Sequence, residues 1–458
     1  MQTYLFYDIE TTGLNKSFDQ ILHFAAIRTD LQLKEIERHE IKIKLNPDVI
    51  PSPYALITHK IGINEMLEGV SELEAIEQIH QWINTPGTIS LGYNTLGFDD
   101  EFLRFSFYRN LLKPYTHQYA NQCYRMDIYP MTVMFFLFKN NVLTWPEKEN
   151  TISLKLENIN AANQLVAGRA HHAMVDVEVT LELARRLQTE REMWDYLHGY
   201  FKKETDKTRV QQAQHNIALL VNGKFGRQAH YQCPVLFLGN HQHYTNQTVW
   251  LRLDAEEFTQ ITPEILAEKF WSIQKKWGES YFILPYKERF TQHLTPERIQ
   301  LAEKNKQWLE KNPAVFKEIV DYYTHYKYPV FPETDTDARL YMDGFWSPAE
   351  ELFCQRFHTF SLEEKVKLVE QASHVKLRAQ ALRILGRHYS DALSSPQREE
   401  FADYLRQIDT HIDYQGKKRL TPEAALQEIK QIRAEKVLDE EDARLLGDLE
   451  RHLSGRVD

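Results

Sequence analysis

Two acidic residues lie near the start of the chain, at the end of a mostly apolar stretch. The run Tyr4–Tyr7 leads into Asp8, Ile9 and Glu10, and a turn signal follows at Gly13. Such a run predicts a buried strand, and residues two apart on a strand point to the same face. Asp8 and Glu10 therefore present two carboxylates that repel each other unless a cation neutralises them. Oxygen ligands of this kind suit Mg²⁺ or Mn²⁺, although acidic strand ends are also commonly solvated.

A third carboxylate, Asp99, follows Phe98 and precedes a segment, residues 101–110, with helical periodicity. Near a helix N-terminus a carboxylate is favoured by the exposed backbone amides and the helix dipole. Alone, Asp99 is typical of a helix-capping residue. Together with Asp8 and Glu10 it becomes a candidate metal ligand.

A histidine pair and a fourth carboxylate follow in His171, His172 and Asp176, at the start of an apolar pattern of helical spacing that continues to Leu187. His172 and Asp176 are four residues apart and share a helical face. His171 lies one residue earlier, where the helix is expected to begin. A surface histidine pair beside a helix aspartate is the alternative interpretation, but the whole ordered set is much rarer.

This ordered set of Asp8, Glu10, Asp99, His171 and Asp176 resembles the DEDD exonuclease superfamily in its histidine-bearing branch. In that family the glutamate lies two residues after the first aspartate and the histidine five before the last, and both spacings hold here. Proofreading members have two residues between the asparagine and the phenylalanine that precede the middle aspartate. Here three residues separate Asn94 from Phe98, a spacing that is similar to the bacterial exonuclease I family. The same resemblance is carried by Phe24–Asp30, Leu56–Gly62, Phe107–Asn110, Trp145–Glu147, His172–Val177 and Asp337–Ser347.

The resemblance implies a 3′→5′ exodeoxyribonuclease that degrades single-stranded DNA processively to 5′-mononucleotides, in DNA repair and recombination. It also implies contact with single-stranded-DNA-binding protein, and we expect a monomer. One alternative is an RNA-trimming or oligoribonucleotide-degrading enzyme of the same superfamily, but such enzymes usually lack residues corresponding to those beyond 190. The other is a non-catalytic single-strand-binding protein on a nuclease fold, which the intact set of five positions disfavours.

The expected mechanism uses two Mg²⁺ ions, which Mn²⁺ can replace. Asp8 is the expected bridging ligand, Glu10 and Asp176 complete the site that activates water, and Asp99 holds the second ion. His171 is the expected general base, since neutral imidazole is available near pH 7. His172 is its rival, because its spacing to Asp176 is that of the tyrosine branch of the superfamily.

The resemblance also implies which side chains contact the single-stranded DNA. Lys155 stands where the family usually has an arginine, so a bidentate phosphate contact is lost there. The implied contacts are Glu10, Thr11, Phe98, Arg104, Tyr115, Tyr119 and Lys155.

Composition restricts the class of protein. The chain has 458 residues, of which 42% are apolar, enough for two or three domains with real cores. Three scattered cysteines fit a reducing compartment, and a first strand with two acids predicts no signal peptide. No apolar run approaches membrane-spanning length, so we expect a cytoplasmic protein without membrane contact.

The chain has a net charge of −10, which would disfavour nucleic-acid binding if the whole surface took part. Binding uses a local groove, so the distribution of charge along the chain is more informative. Residues 201–230 are rich in lysine and arginine, and Lys275, Lys276, Lys287 and Arg289 alternate with aromatic residues between 271 and 290. Bases stack on rings and phosphates pair with cations, so this mixture suits a single strand. Aromatic residues at strand spacing are equally typical of a core, and lysines of a solvated surface.

Three domains are expected, beginning with an α/β fold. Residues 1–190 predict a ribonuclease-H-like nuclease, with strands near 3–9, 22–30, 38–45 and 88–93 and helices near 64–84, 99–111 and 172–188. Residues 191–335 predict a charged linker around Lys202–Arg209 and then short strands at His215–Val221, Pro234–Leu238 and Val249–Leu253, which the resemblance assigns to an SH3-like barrel contributing to DNA binding. Residues 336–458 predict an all-helical C-terminal domain, with helices at Leu362–Ser373, Val375–Leu385, Gln397–Arg406 and Pro422–Glu435.

Overall fold

A computed structural model of the chain describes residues 1–148, 151–168, 172–256, 258, 265, 269 and 271–457. A five-stranded sheet, ordered β3-β2-β1-β4-β5, forms the centre of the N-terminal region. Strand β1 is central because both of its faces are apolar. Its strands are β1 (Thr3–Thr11), β2 (Ile21–Thr29), β3 (Glu35–Lys42), β4 (Thr88–Leu91) and β5 (Tyr124–Arg125).

The pairing of the strands agrees with their side chains. β1 runs antiparallel to β2 and parallel to β4, and β2 runs antiparallel to β3. Every residue of β2 is buried, whereas β3 is mostly exposed and carries the charges expected of an edge strand. A two-stranded hairpin of β6 (Glu147–Lys148) and β7 (Thr151–Ile152) lies outside this sheet.

Helices cover both faces of this sheet. On one face Phe6 and Ile27 pack with Val177 and Leu181, and on the other Leu5 packs with residues of two further helices. The predicted helix 64–84 is two helices, because Gly69, at φ +101°, breaks the chain between them. The helices are α1 (Pro53–His59), α2 (Ile63–Met66), α3 (Glu72–Ile83), α4 (Asp99–Arg109), α5 (Ile128–Phe138), α6 (Leu156–Asn163), α7 (Ala173–Gln188), α8 (Arg191–His198) and α9 (Lys203–Ala213).

The predicted linker at Lys202–Arg209 is wrong, since these residues largely belong to α9. Val210 is fully buried, and the carboxylate of Asp206 accepts a 2.5 Å hydrogen bond from Lys275 Nζ, with both side chains buried. The same contact buries Lys275, one of the cations that the sequence groups with aromatic residues as suited to a single strand. A dense run of charges resembled a linker because a buried ion pair leaves no apolar signal in the sequence.

A second sheet follows, ordered β11-β10-β9-β8-β12, with each adjacent pair antiparallel. The predicted strands of this region are confirmed with shifted bounds, whereas the SH3-like barrel stays a prediction. Its strands are β8 (Ala218–Val221), β9 (Gln232–Asn240), β10 (Gln247–Arg252), β11 (Ser272–Lys276) and β12 (Phe282–Pro285).

The rest of the described chain is helical. Ser347, Ser361 and Ser394 each form a capping box at a helix start, and Pro422 begins a helix as predicted. None of the described helices is long and apolar enough to cross a bilayer. The helices are α10 (Glu288–Thr291), α11 (Pro296–Lys311), α12 (Pro313–Thr324), α13 (Pro348–Thr359), α14 (Leu362–Gln371), α15 (Val375–His388), α16 (Ser395–Arg406), α17 (Pro422–Glu435) and α18 (Glu440–Val457).

The last two helices pack against the N-terminal region. Leu56 and Ile63, from α1 and α2, share one apolar cluster with Ile429 and Leu446, from α17 and α18. Lys60 also pairs with Asp442 of α18. Leu22 of β2 belongs to the same cluster, so the C-terminal helices pack against the edge of the N-terminal region that includes this strand.

Candidate metal centre

Three of the predicted ligands meet where β1 faces α7. One ligand atom from each of Asp8, Glu10 and Asp176 lies within 4.8 Å of the other two. Asp8 and Glu10 share a face of β1 because they are two residues apart, and Asp176 lies in the first turn of α7. The apolar residues of α7 pack onto β1 and β2, and this packing fixes the height of Asp176 above the strand.

Asp99 reaches the same strand from the other side. The pairing of β1 with β4 ends at Phe6 and Leu91, so the next part of β1 has a free edge on that side. Asp99 is the first residue of α4, and the nearby backbone N–H of Ile9 favours its charged form, which partly opposes the rise in its pKa caused by burial. Its side chain is buried. The free edge of β1 thus places a fourth carboxylate next to the other three.

Burial and mutual repulsion act on these four acids together. Burial raises the pKa of Asp8 well above its usual range, and the charges of Asp99, Glu10 and Asp176 raise it further. Burial, Asp176 and Asp99 raise the pKa of Glu10 to about 9. Burial also raises the pKa of Asp99. The ionised cluster is unfavourable without added positive charge, and its donors are the hard oxygens that bind small divalent cations, so these residues fit a metal centre.

Of the two predicted histidines, only His172 is among the residues that the structure describes. His171, the expected general base, lies outside the described residues. His172 precedes α7, is exposed, and sets its ring edge against the ring of His23 at a centroid distance of 5.4 Å. Its backbone oxygen accepts the N–H of Asp176 and so closes the first turn of the helix.

Thr11 and Phe98 flank the metal ligands and shape their backbone. Thr11 is buried, and its hydroxyl donates to the carbonyl of Gly13 at 2.8 Å, which folds the turn after β1. Phe98 lies immediately before Asp99, and its ring packs on Phe102 at 4.8 Å.

The other residues that were predicted to contact the DNA strand lie in different environments. Arg104 is buried, is within 2.7 Å of Asp100 and donates to the hydroxyl of Tyr341 at 3.2 Å, while its guanidinium lies 6.0 Å from the ring of Tyr115. Tyr119 is 58% exposed, so its ring is free to stack. Lys155 is also exposed and lies before α6. The structure groups Arg104 with Tyr115 and leaves Tyr119 and Lys155 on open surface.

Asp100 is a central residue that the sequence did not single out. It is fully buried and accepts hydrogen bonds from Arg104, from Arg125 at 2.5 Å and from His117 at 2.9 Å. Burial opposes its charge, but Arg125 and Arg104 hold the pKa of Asp100 well below its usual range. In the sequence, only the four-residue spacing from Asp100 to Arg104 on one helix indicated that these two side chains could pair. This neutralised carboxylate fixes the start of α4, and hence Asp99.

Comparison with known proteins identifies matches at both ends of the chain. Residues 5–184 match the exonuclease family, and residues 334–455 match the exonuclease I C-terminal domain. Exodeoxyribonuclease I of Escherichia coli K12 is 28% identical over 370 residues, which cover 76% of this chain and 77% of that protein.

Two solved structures share the fold. The zinc-bound complex of Escherichia coli exonuclease I with single-stranded DNA aligns over the full length of both chains, with a TM-score of 0.86 and 24% identity. A complex of exonuclease I with single-stranded-DNA-binding protein (SSB) and an inhibitor aligns over 99% of both chains, with a TM-score of 0.83 and 23% identity. The order of all three regions is therefore common to these structures and this chain.

Proposed function

This chain belongs to the bacterial exonuclease I family, and we propose that it is a 3′→5′ exodeoxyribonuclease that degrades single-stranded DNA to 5′-mononucleotides. The observation that carries the proposal is the set of four carboxylates on β1, α4 and α7, inside the region that matches the exonuclease family. We further propose roles in DNA repair and recombination.

The four carboxylates would hold two Mg²⁺ ions, with Asp8 shared between them. Divalent cations bound in this way activate water, neutralise charge on phosphorus and stabilise the leaving 3′-oxygen. Glu10 and Asp176 add negative charge on the α7 side of Asp8, and Asp99 adds it on the α4 side. The residues that would hold the ions come from β1, α4 and α7, so the metal centre would depend on the packing of both helices against the strand.

We assign to His171 the removal of a proton from the attacking water. An imidazole that is neutral near pH 7 accepts that proton and afterwards returns it to solvent. His171 immediately precedes His172, which lies just before the helix that carries Asp176. This short connection supports the assignment, since it ties the position of the base to that of a metal ligand.

The proposed substrate is a single strand, and the proposed partner is SSB. The similar Escherichia coli structure contains single-stranded DNA, and another similar structure contains SSB. In this chain the exposed ring of Tyr119 and the ring of Tyr115 beside Arg104 lie on the same nuclease region as the carboxylates. Unpaired bases can stack on such rings, whereas paired bases cannot.

A labelled-strand assay tests the proposal. A DNA strand labelled at its 3′ end should release labelled mononucleotide at once in Mg²⁺, and the same strand labelled at its 5′ end should shorten gradually. EDTA should stop both reactions, and blunt duplex DNA should be a poor substrate. Immediate release of the 5′ label would contradict the proposed polarity. Equal rates on RNA or duplex would contradict the proposed substrate but not the metal centre.

A further inference from the structure

His23 of β2 lies between one proposed metal ligand and the start of the helix that carries another. It pairs directly opposite Glu10 in the antiparallel β1-β2 register, and opposite residues of such a pair place their side chains on the same face of the sheet. That face is covered by α7, because Ala25 and Ile27, further along β2, belong to the same apolar cluster as Val177. The side chain of His23 is therefore buried beside the proposed metal centre.

The ring of His23 contacts the residue that precedes α7. It meets the ring of His172 edge to face, with a centroid distance of 5.4 Å and an interplanar angle of 82°. The backbone carbonyl of His172 in turn accepts the N–H of Asp176 at 3.1 Å, the hydrogen bond that closes the first helical turn. A single side chain on β2 is thus connected through one residue to a proposed metal ligand on α7.

The orientation of the His23 ring is set from the other side by β3. Glu40 lies on β3 opposite Ala25, and its carboxylate is 2.9 Å from Nε2 of His23. An ionised carboxylate only accepts hydrogen bonds, so Nε2 carries a proton and donates it. A buried ring that is bonded on one side and packed on the other has little freedom to turn, so His23 presents a fixed surface to His172.

The residue before α7 does not support the helix with its own side chain. Within the described part of the chain, the side chain of His172 makes no capping hydrogen bond to the first turn. The first backbone N–H groups of a helix have no partner inside the helix, and a helix end without a cap is less stable. Fraying here would move Asp176, whose ligand atom lies within 4.8 Å of those of Asp8 and Glu10. The contact with the His23 ring opposes that movement.

We propose that His23 is a positioning residue of the metal centre. Its ring holds His172, and through it the first turn of α7, at the distance from β1 at which Asp176 and Glu10 can bind the same cation. The inference rests on the proposed function, which requires that cation. His23 acts through His172 and needs no contact with the ions or with the DNA strand.

Removal of the ring tests this role. His23→Ala should lower the single-turnover cleavage rate at saturating strand and Mg²⁺ by roughly two- to tenfold, the factor that corresponds to one edge-to-face ring contact. The dissociation constant of the strand, measured by anisotropy in EDTA, should stay unchanged, because the His23 ring is buried under α7. His23→Phe keeps a ring beside His172 and should restore most of the rate, whereas His23→Gln keeps only a donor for Glu40 and should not. A loss of strand affinity as large as the loss of rate would overturn the proposal, since the substitution would then disturb the whole domain.

His39→Ala is the matched control. His39 lies on the neighbouring strand β3 and has the same kinds of partner, since its ring stacks on Trp82 at 4.3 Å and its Nε2 lies 3.1 Å from Glu37. It pairs opposite Ala26, whose side chain packs on the face of the sheet away from α7. Its substitution should leave cleavage unchanged. An equal loss of rate in His39→Ala would refute the role of His23, because the effect would then come from the sheet as a whole.

A double-mutant cycle tests the contact between the two rings. If His23 acts through His172, then His172→Ala should lose about as much rate as His23→Ala, and the combined variant should lose no more than either alone. Losses that multiply would show that the two rings act independently and would refute the proposed connection.

Two measurements without turnover separate this role from the proposed function. Amide hydrogen exchange of residues 173–180 in EDTA should be roughly two- to tenfold faster in His23→Ala, and Mn²⁺ binding, followed by electron paramagnetic resonance, should weaken by a similar factor. Wild-type values of both would refute the positioning role, and so would faster exchange with unchanged Mn²⁺ affinity. If the wild-type protein binds Mn²⁺ but cleaves no strand, the proposed function fails, and these two measurements still decide the role of His23.

Discussion

Asp48 and Arg387 form a bidentate ion pair between the nuclease region and the C-terminal helices. Nε and Nη2 of Arg387 donate to the Asp48 carboxylate at 3.0 and 2.6 Å, and both side chains are almost completely buried. The hydroxyl of Tyr404 donates to the same carboxylate at 2.9 Å. Burial opposes the charge of Asp48, but Arg387 holds its pKa well below its usual range. The nuclease region therefore depends on residues of α15 and α16 for a buried charge.

Arg387→Met should destabilise the whole protein, because Asp48 would keep a buried carboxylate without its main partner. The expected loss is about 3–5 kcal/mol in the free energy of unfolding, measured by urea denaturation. Arg406→Met, on the exposed surface of α16, is the control and should leave the stability unchanged. Similar losses in the two variants would show that the ion pair has no special role.

The stability of the metal-free protein should fall as the pH rises. Glu10 has a pKa of about 9 in the fold, against an ordinary value of 4.5. Between these values the folded state keeps a proton that the unfolded state releases, so a rise in pH favours unfolding. The wild-type protein in EDTA should lose stability relative to Glu10→Gln from about pH 5 to pH 9. The measurement is urea denaturation of both proteins across this range, repeated with saturating Mg²⁺.

Saturating Mg²⁺ should remove that dependence on pH, since the cation binds the ionised carboxylates. Because other groups titrate in the same range, only the difference between the two proteins is informative. A difference that is independent of pH in EDTA would mean that Glu10 is already ionised in the metal-free fold.

Asp8→Asn should lower the cleavage rate by orders of magnitude, because it removes the carboxylate proposed to bridge the two ions. Strand binding should persist or become tighter, since repulsion between the acidic cluster and phosphate decreases. Single-turnover cleavage in Mg²⁺ and anisotropy in EDTA measure the two effects separately. Asp409→Asn, an exposed aspartate outside the cluster, is the control. Near wild-type cleavage by Asp8→Asn would disprove the two-ion assignment.

His171→Ala should slow the chemical step by roughly 10²–10⁴-fold, the usual contribution of a positioned general base. His172→Ala should have a much smaller effect, because the exposed His172 ring packs against His23. Single-turnover rates of both variants between pH 6 and 9 give the comparison, and the adjacent histidine serves as the control. The reverse order of effects would assign the base to His172 and place the site closer to the tyrosine branch of the superfamily.

Local spacing was sufficient to predict part of the site. Two-residue spacing fixes Asp8 and Glu10 on one face of β1, and the helical pattern after Asp176 fixes α7. Both inferences depend only on backbone periodicity, which the sequence displays directly. The approach of Asp99 to β1 was expected only from the resemblance to a known family, because it depends on where β4 ends.

Contacts between residues that are far apart in the chain could not be predicted from local sequence patterns. The contact of Arg104 with the DNA strand stays a prediction, whereas its contacts with Asp100 and with Tyr341, 237 residues away, could not be foreseen from the sequence. Lys275 was grouped with cations and aromatic residues suited to a single strand, but it is buried in an ion pair with Asp206. In the sequence, a charged residue that pairs with a distant partner looks the same as one that faces solvent. Only the folded structure distinguishes the two.

The packing of α17 and α18 on α1 and α2 has a consequence for the synthesis of the protein. The apolar side chains of Leu56 and Ile63 emerge early from the ribosome, yet Ile429 and Leu446 emerge only after most of the chain has been made. During that interval the apolar surface of α1 and α2 is uncovered and available to chaperones or to other nascent chains. A polypeptide that stops before Pro422 would contain all four carboxylates, but it would expose this surface permanently and become a substrate for proteolysis.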